Sequence, residues 1–269
     1  MSEDLIILFD EHGTPTFRED RESQIFIGVG ATFKASDREH IFDLSRALFG
    51  LDNNKPLKNR HLGITRINDI GSLITNLPIT LMVTYLDLSN PDLQRIATLY
   101  EDYGNLLRDR HRGVSERPVS HILYKQVLDH SLFYSVQHAI EKNPVDSNIR
   151  IYLDDWSISP DDVHIVLDLN RESMELRSNE AVEQFFNVKI SLDNFKVLVN
   201  DCDNKRYIDV ITSVSSRAFL DSSDDRYSET IKSIFFGNSD QIYVDDITTA
   251  TSDLLTKVMD QTAREGGPS

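Results

Sequence analysis

Two apolar runs rich in β-branched and aromatic residues, LIILFD at 5–10 and IFIGVGATF at 25–33, flank the charged, turn-rich segment EHGTPTFREDRES. Such runs bounded by Gly, Pro and acids read as buried strands, so the chain begins as a sheet. Asp10 and Glu11 stand where the first run stops. An uncompensated carboxylate at the end of a buried strand costs several kcal/mol by order of magnitude, so these two acids need an explanation.

The rest of the pattern mixes helix and strand. Ile41, Leu44, Leu48 and Phe49 fall on one face of a helix over 37–49, with Ser36 or Asp37 as its cap. GLDNNKPLKNRHLG follows as loop, then ITLMVTYLDL at 79–88 as a third strand. Ser89 or Asn90 can cap a helix with Pro91 in its first turn. Helices are predicted over about 92–110 and 119–142, joined by RHRGVSERP, and IRIYL at 149–153 is a fourth strand ending at Asp154 and Asp155. SPDDVHIVLDLNRESMEL reads as a helix, and NVKISLDNFKVLV at 187–199 as one or two short strands. DCDNKRYIDVITSVSSRAFL carries the apolar spacing of a final core helix with Asp209 in its first turn. From Asp221 the chain reads as an acidic extension. With no repeat and no dividing linker, the expectation is one mixed α/β domain over 1–269, with a helical segment at about 90–142 between the third and fourth strands.

Composition narrows the function. No stretch approaches the roughly 20 apolar residues of a membrane helix, and MSEDLIILF has acids where a secretory signal has basic residues. The only cysteine, Cys202, allows neither an internal disulfide nor a thiolate-rich zinc site, which fits a cytoplasmic protein. With 44 acids against 28 basic residues the net charge is −16, a field that repels nucleic-acid phosphates and must be overcome by any nucleic-acid role.

Asp10, Asp154 and Asp209 occupy comparable places at strand or helix ends, where carboxylates from one sheet edge can converge on hard cations such as Mg²⁺ or Mn²⁺. Taken singly, each reads more simply as a turn or helix-end acid; the set of three is harder to set aside. Lys58, Arg60 and His61, within KPLKNRHLGITR, are the best candidates for substrate phosphate contacts, and RDRHRG is a second basic patch. His12 and His61 are candidates for proton transfer. The glycines of IGVGATF lie inside a strand with no helix opening after them, so they suit close packing against a neighbouring strand rather than a dinucleotide. No GxSxG elbow and no GxxxxGK loop is present.

LIILFDEHGTP followed by IFIGVGATF resembles the IDESG opening of the DUF3800 family. IRIYLDD is similar to that family's mid-chain aspartate strand, and DCDNKRYIDVITSVSSRAF to its closing segment. The resemblance spans most of residues 5–220. It implies a ribonuclease H-like fold, a mixed sheet flanked by helices, in which Asp10, Asp154 and Asp209 bind Mg²⁺ or Mn²⁺ with Glu11 as an additional catalytic candidate. It also implies a metal-dependent nuclease in a bacterial phage-defence or mobile-element setting. His12 departs from the family's usual serine, and YIDVITS from its closing pattern. The alternatives are a non-catalytic subunit of the same fold that binds a protein partner in a defence or toxin-like assembly, and an adaptor using the helices at 92–142. That helical region is also large enough for a homodimer surface.

Overall fold

In the computed structural model the described residues are 4–15, 17, 24–49, 64–110, 119–142, 148–153, 195–199, 202–216, 219, 232–234, 237 and 240–265. Strands β1 (Leu5–His12), β2 (Ile25–Lys34), β3 (Thr80–Asp87), β4 (Ile149–Leu153), β5 (Phe195–Val199) and β6 (Ile242–Asp246) form one sheet in the order β5-β4-β1-β2-β3-β6. β1, β2 and β3 are antiparallel neighbours, whereas β4 lies parallel to β1, β5 to β4 and β6 to β3. The parallel register beside β1 is anchored at its start, where Asp4 accepts from Asn148 Nδ2 at 2.9 Å and pairs with Arg150 at 2.5 Å. The charged partner and these hydrogen bonds hold Asp4 below the usual carboxylate range.

Helices α1 (Arg38–Phe49), α2 (Ile64–Asn76), α3 (Pro91–Arg110), α4 (Val119–Lys142), α5 (Cys202–Ser216) and α6 (Thr248–Glu265) cover both faces. Side chains alternate along a strand, so β1 feeds two cores. Ile6 and Leu8 pack with Ile41, Ile70, Tyr207 and Ile211 on one face; Leu5, Ile7 and Phe9 pack with Leu93, Leu123, Val127 and Leu255 on the other. Asn90 caps α3 as predicted, its Oδ1 accepting from the N–H groups of Asp92 at 3.0 Å and Leu93 at 3.1 Å. Among the described residues no helix is long and apolar enough to cross a membrane.

Four expectations are corrected. The first strand runs past Asp10 to His12, so Glu11 and His12 belong to it. The region before the third strand contains α2, and the acidic extension supplies β6 and α6. Asp209 lies in the middle of α5 rather than in its first turn, beyond the reach of a helix-end charge effect. The glycines of β2 pack mainly against a helix: a Cβ at Gly28 would lie 2.5 Å from Val127 Cγ1 and 3.0 Å from Ser131 Oγ, and one at Gly30 would strike Ser135, all on α4, while the expected strand contact is limited to Phe9 Cε2 of β1, 3.1 Å from the Gly28 position. Separately, the turn after β1 depends on Gly13, whose φ of +102° is strained for any residue with a Cβ.

Asp129, on α4, gives the fold a pH dependence. Burial pushes its carboxyl up to about 6, against a smaller pull from Lys125, and its enclosed Oδ1 has no hydrogen-bond partner among the described residues. Well below about pH 4 the group is protonated in folded and unfolded chains alike, and no penalty arises. As pH rises through 6 the unfolded chain ionises first, so stability falls and then levels off. Urea unfolding of Asp129→Asn is expected to lack this part of the profile and to show a gain of about 1–3 kcal/mol above neutrality, the range allowing for partial solvent screening.

Candidate active site

Asp10 is charged chemistry inside a core. It lies 8% exposed near the C-terminal end of β1, on the face covered by α5. Alternation along β1 aims it the same way as Ile6 and Leu8, toward α5, where Asp209 is half-buried and Thr212 follows one turn later. Burial, then the charge of Asp209, then that of Glu11, push the Asp10 carboxyl well above the usual carboxylate range. The Glu11 N–H and the Thr212 hydroxyl pull it part of the way back. The Thr212 contact is electrostatic proximity rather than a well-formed hydrogen bond, since among the described residues its Oγ1 meets no partner within ordinary bonding geometry.

The sequence-predicted residues divide into three groups. Asp10 and Asp209 come together on one face. Glu11 points to the opposite face, where the Tyr124 hydroxyl of α4 donates to its Oε2 at 3.2 Å. Tyr124 is itself fixed by burial and by the Phe26 ring, 5.9 Å away. Asp154, Lys58, Arg60 and His61 lie outside the described residues. Tyr124 and Thr212 are the residues that sequence reading missed. Strand alternation, with the first strand extended by two residues, would have shown that Asp10 and Glu11 need different neighbours.

Among the described residues no group of three His, Cys, Asp or Glu side chains is arranged to hold a metal ion. The pair that is present nevertheless has suitable donor chemistry: two carboxylates, one deeply buried, raise each other's ionisation cost, and a hard divalent cation relieves that repulsion. Asp154 follows Leu153 directly in sequence, and the last β1–β4 pair, Leu8↔Tyr152, is two residues before Asp10 and Asp154 alike.

Three antiparallel strands continued by two parallel ones in the order β5-β4-β1-β2-β3, with helices on both faces and an acid on the central strand, define a ribonuclease H-like α/β fold, here widened by β6. No protein-family model and no curated protein matches the chain. Among solved structures it is similar to that of Bst-RNase HIII in complex with Mn²⁺, at 15% identity and a TM-score of 0.42, over 81% of this chain and 52% of that one. This chain therefore spans about half the length of that structure. Strand order and direction, not this likeness, define the fold.

Proposed function

We propose that the chain is a metal-dependent phosphodiesterase of the DUF3800 family, most specifically a nuclease acting in a bacterial phage-defence or mobile-element setting. The observation that carries the reading is Asp10, a carboxylate buried on the central strand of a ribonuclease H-like sheet and facing a second carboxylate, Asp209. Asp10, Asp209 and Asp154 would hold Mg²⁺ or Mn²⁺. When bound, such ions supply Lewis-acid polarisation of the phosphoryl group and neutralise charge. The Glu11 N–H and the nearby Thr212 hydroxyl favour the ionised form of Asp10, the form that a cation would need. Glu11, held by Tyr124 across the sheet, adds negative charge at the strand end without facing the same way as Asp10. Lys58, Arg60 and His61 are assigned the substrate phosphate, and they would offset locally the repulsion set by the net charge of −16.

That charge favours one second reading, a non-catalytic subunit whose protein partner is basic. A panel of labelled RNA, DNA and hybrid oligonucleotides with Mn²⁺ separates the two. The nuclease reading expects cleavage of at least one substrate that chelation abolishes and that Asp209→Asn lacks. Intact substrates throughout the panel favour the subunit.

A further inference from the structure

A groove opens on the α4 side of the sheet at its β6 edge, lined by Met82, Thr84, Tyr134, Tyr243 and Asp245 and enclosing about 240 Å³. Three consecutive pairings, Glu11↔Gly28, Gly28↔Thr84 and Thr84↔Asp245, place Asp245 in the same cross-strand row as Glu11. At about 4.8 Å per strand that is roughly 14 Å away, on the face opposite Asp10. The groove is therefore separate from the Asp10–Asp209 site.

Its lining combines aromatic surface with negative charge. Tyr134 and Tyr243 are 39% and 38% exposed, two of the four large apolar side chains most open to solvent among the described residues. Asp245 lies between β3 and α4 with a half-exposed carboxylate, and His130 Nδ1 engages one of its oxygens at 3.4 Å. Asp87 and Asp246 stand nearby but are committed to local structure. Asp87 accepts from the Ser89 N–H at 2.9 Å, and Asp246 accepts from the Thr248 N–H at 3.0 Å and the Tyr85 hydroxyl at 3.0 Å. All three carboxylates act on Tyr85: burial first, then its hydrogen bond to Asp246, then the charges of Asp246, Asp87 and Asp245 push its hydroxyl up to about 12. The sheet corner is thus strongly negative, and Asp245 is the acid that opens onto the groove.

Size decides what such a site takes. A cavity of 240 Å³ falls below the roughly 300–1,000 Å³ of ordinary small-molecule pockets, so it suits one side chain rather than a nucleotide. Tyrosine faces attract cations, and a guanidinium can stack on a ring while donating to a carboxylate in a planar fork, which an ammonium cannot do. The half-exposed His130 pair, at 3.4 Å, is of the weak kind and leaves Asp245 able to accept from a second cation. The net charge of −16 favours association with basic partners. We infer that the Tyr134–Tyr243–Asp245 groove is a docking site for an arginine side chain of a basic partner protein.

The test uses the full chain with tyrosine rings isotopically labelled, titrated with a capped Gly-Gly-Arg-Gly-Gly peptide and with the same peptide carrying uncharged citrulline. Saturable movement of the Tyr134 and Tyr243 ring signals is expected with the arginine peptide only. Asp245→Asn and Tyr243→Ala, both at partly exposed positions, are each expected to weaken binding at least about fivefold in a chain that circular dichroism shows still folded. Equal responses to the two peptides, no response to arginine, or unchanged affinity in both variants would overturn the assignment. Self-association abolished by these variants would give the groove to a second copy of the chain and overturn the partner-protein occupant.

Discussion

Asp10→Asn is expected to give a protein that melts at a higher temperature than the wild type at neutral pH and that has lost at least about 100-fold of any divalent-cation-dependent hydrolysis. Both effects come from one placement. Asp10 is buried against the charges of Asp209 and Glu11, so its ionised form is disfavoured in the folded chain. Asparagine keeps the shape and an oxygen for the Glu11 N–H, and it removes the charge. At low pH the carboxyl is protonated whether or not the chain is folded, and the stability gain should vanish. As pH rises, the unfolded wild type ionises first and the gain should open. The activity loss follows from removing a proposed ligand, since even outer-shell partners of a metal typically cost 10–100-fold when replaced. Thermal melts from acid to neutral pH, paired with oligonucleotide cleavage, read both effects. A variant less stable than the wild type at neutral pH would mean that Asp10 has a stabilising partner and is not a strained ligand.

Gly28→Val is expected to be strongly destabilising. The added Cβ alone would sit 2.5 Å from Val127 Cγ1, 3.0 Å from Ser131 Oγ and 3.1 Å from Phe9 Cε2. These atoms belong to the helix above and to the neighbouring strand, so the new side chain has no direction in which to relax. Overpacking of this kind costs about 3 kcal/mol, roughly 6–12 °C in Tm for a domain of this size. The displaced α4 would also carry Tyr124 away from Glu11. Gly71→Ala is the control: its Cβ meets only the flexible end of Ile234, at 3.2 Å, and gains helix propensity within α2, so it should be near neutral. Calorimetric melts of both variants check the contrast. Equal losses would show that α4 does not sit as close to β2 as the glycines allow.

The sheet was largely readable because its strands are dense in apolar and β-branched residues, and the Asn90–Pro91 start of α3 followed from capping chemistry alone. α2 was readable but not read: in ITRINDIGSLITN, Ile70, Leu73 and Ile74 fall on one helical face and pack on one core, a pattern overlooked beside the loop that precedes it. β6 escaped because IYVDD alternates only briefly before its acids, and its burial depends on β3 lying beside it. The glycines of β2 looked like a strand contact because the sequence does not say which layer faces a strand. For the site, Asp10 stood out as an acid ending a buried run, and Asp209 as an acid in an apolar helix pattern. That Asp209 is mid-helix, and that Glu11 turns away to Tyr124, depended on where α5 and β1 begin and end, which local propensity defines least sharply.

Titration calorimetry of Mn²⁺ into the full chain, beside Asp10→Asn and Asp209→Asn, bears directly on whether these two carboxylates form a cation site. Saturable binding in the wild type that is lost in both variants, each still folded by circular dichroism, is the expected result. Absence of Mn²⁺ binding in the wild type, or binding that survives unchanged in both variants, would contradict it.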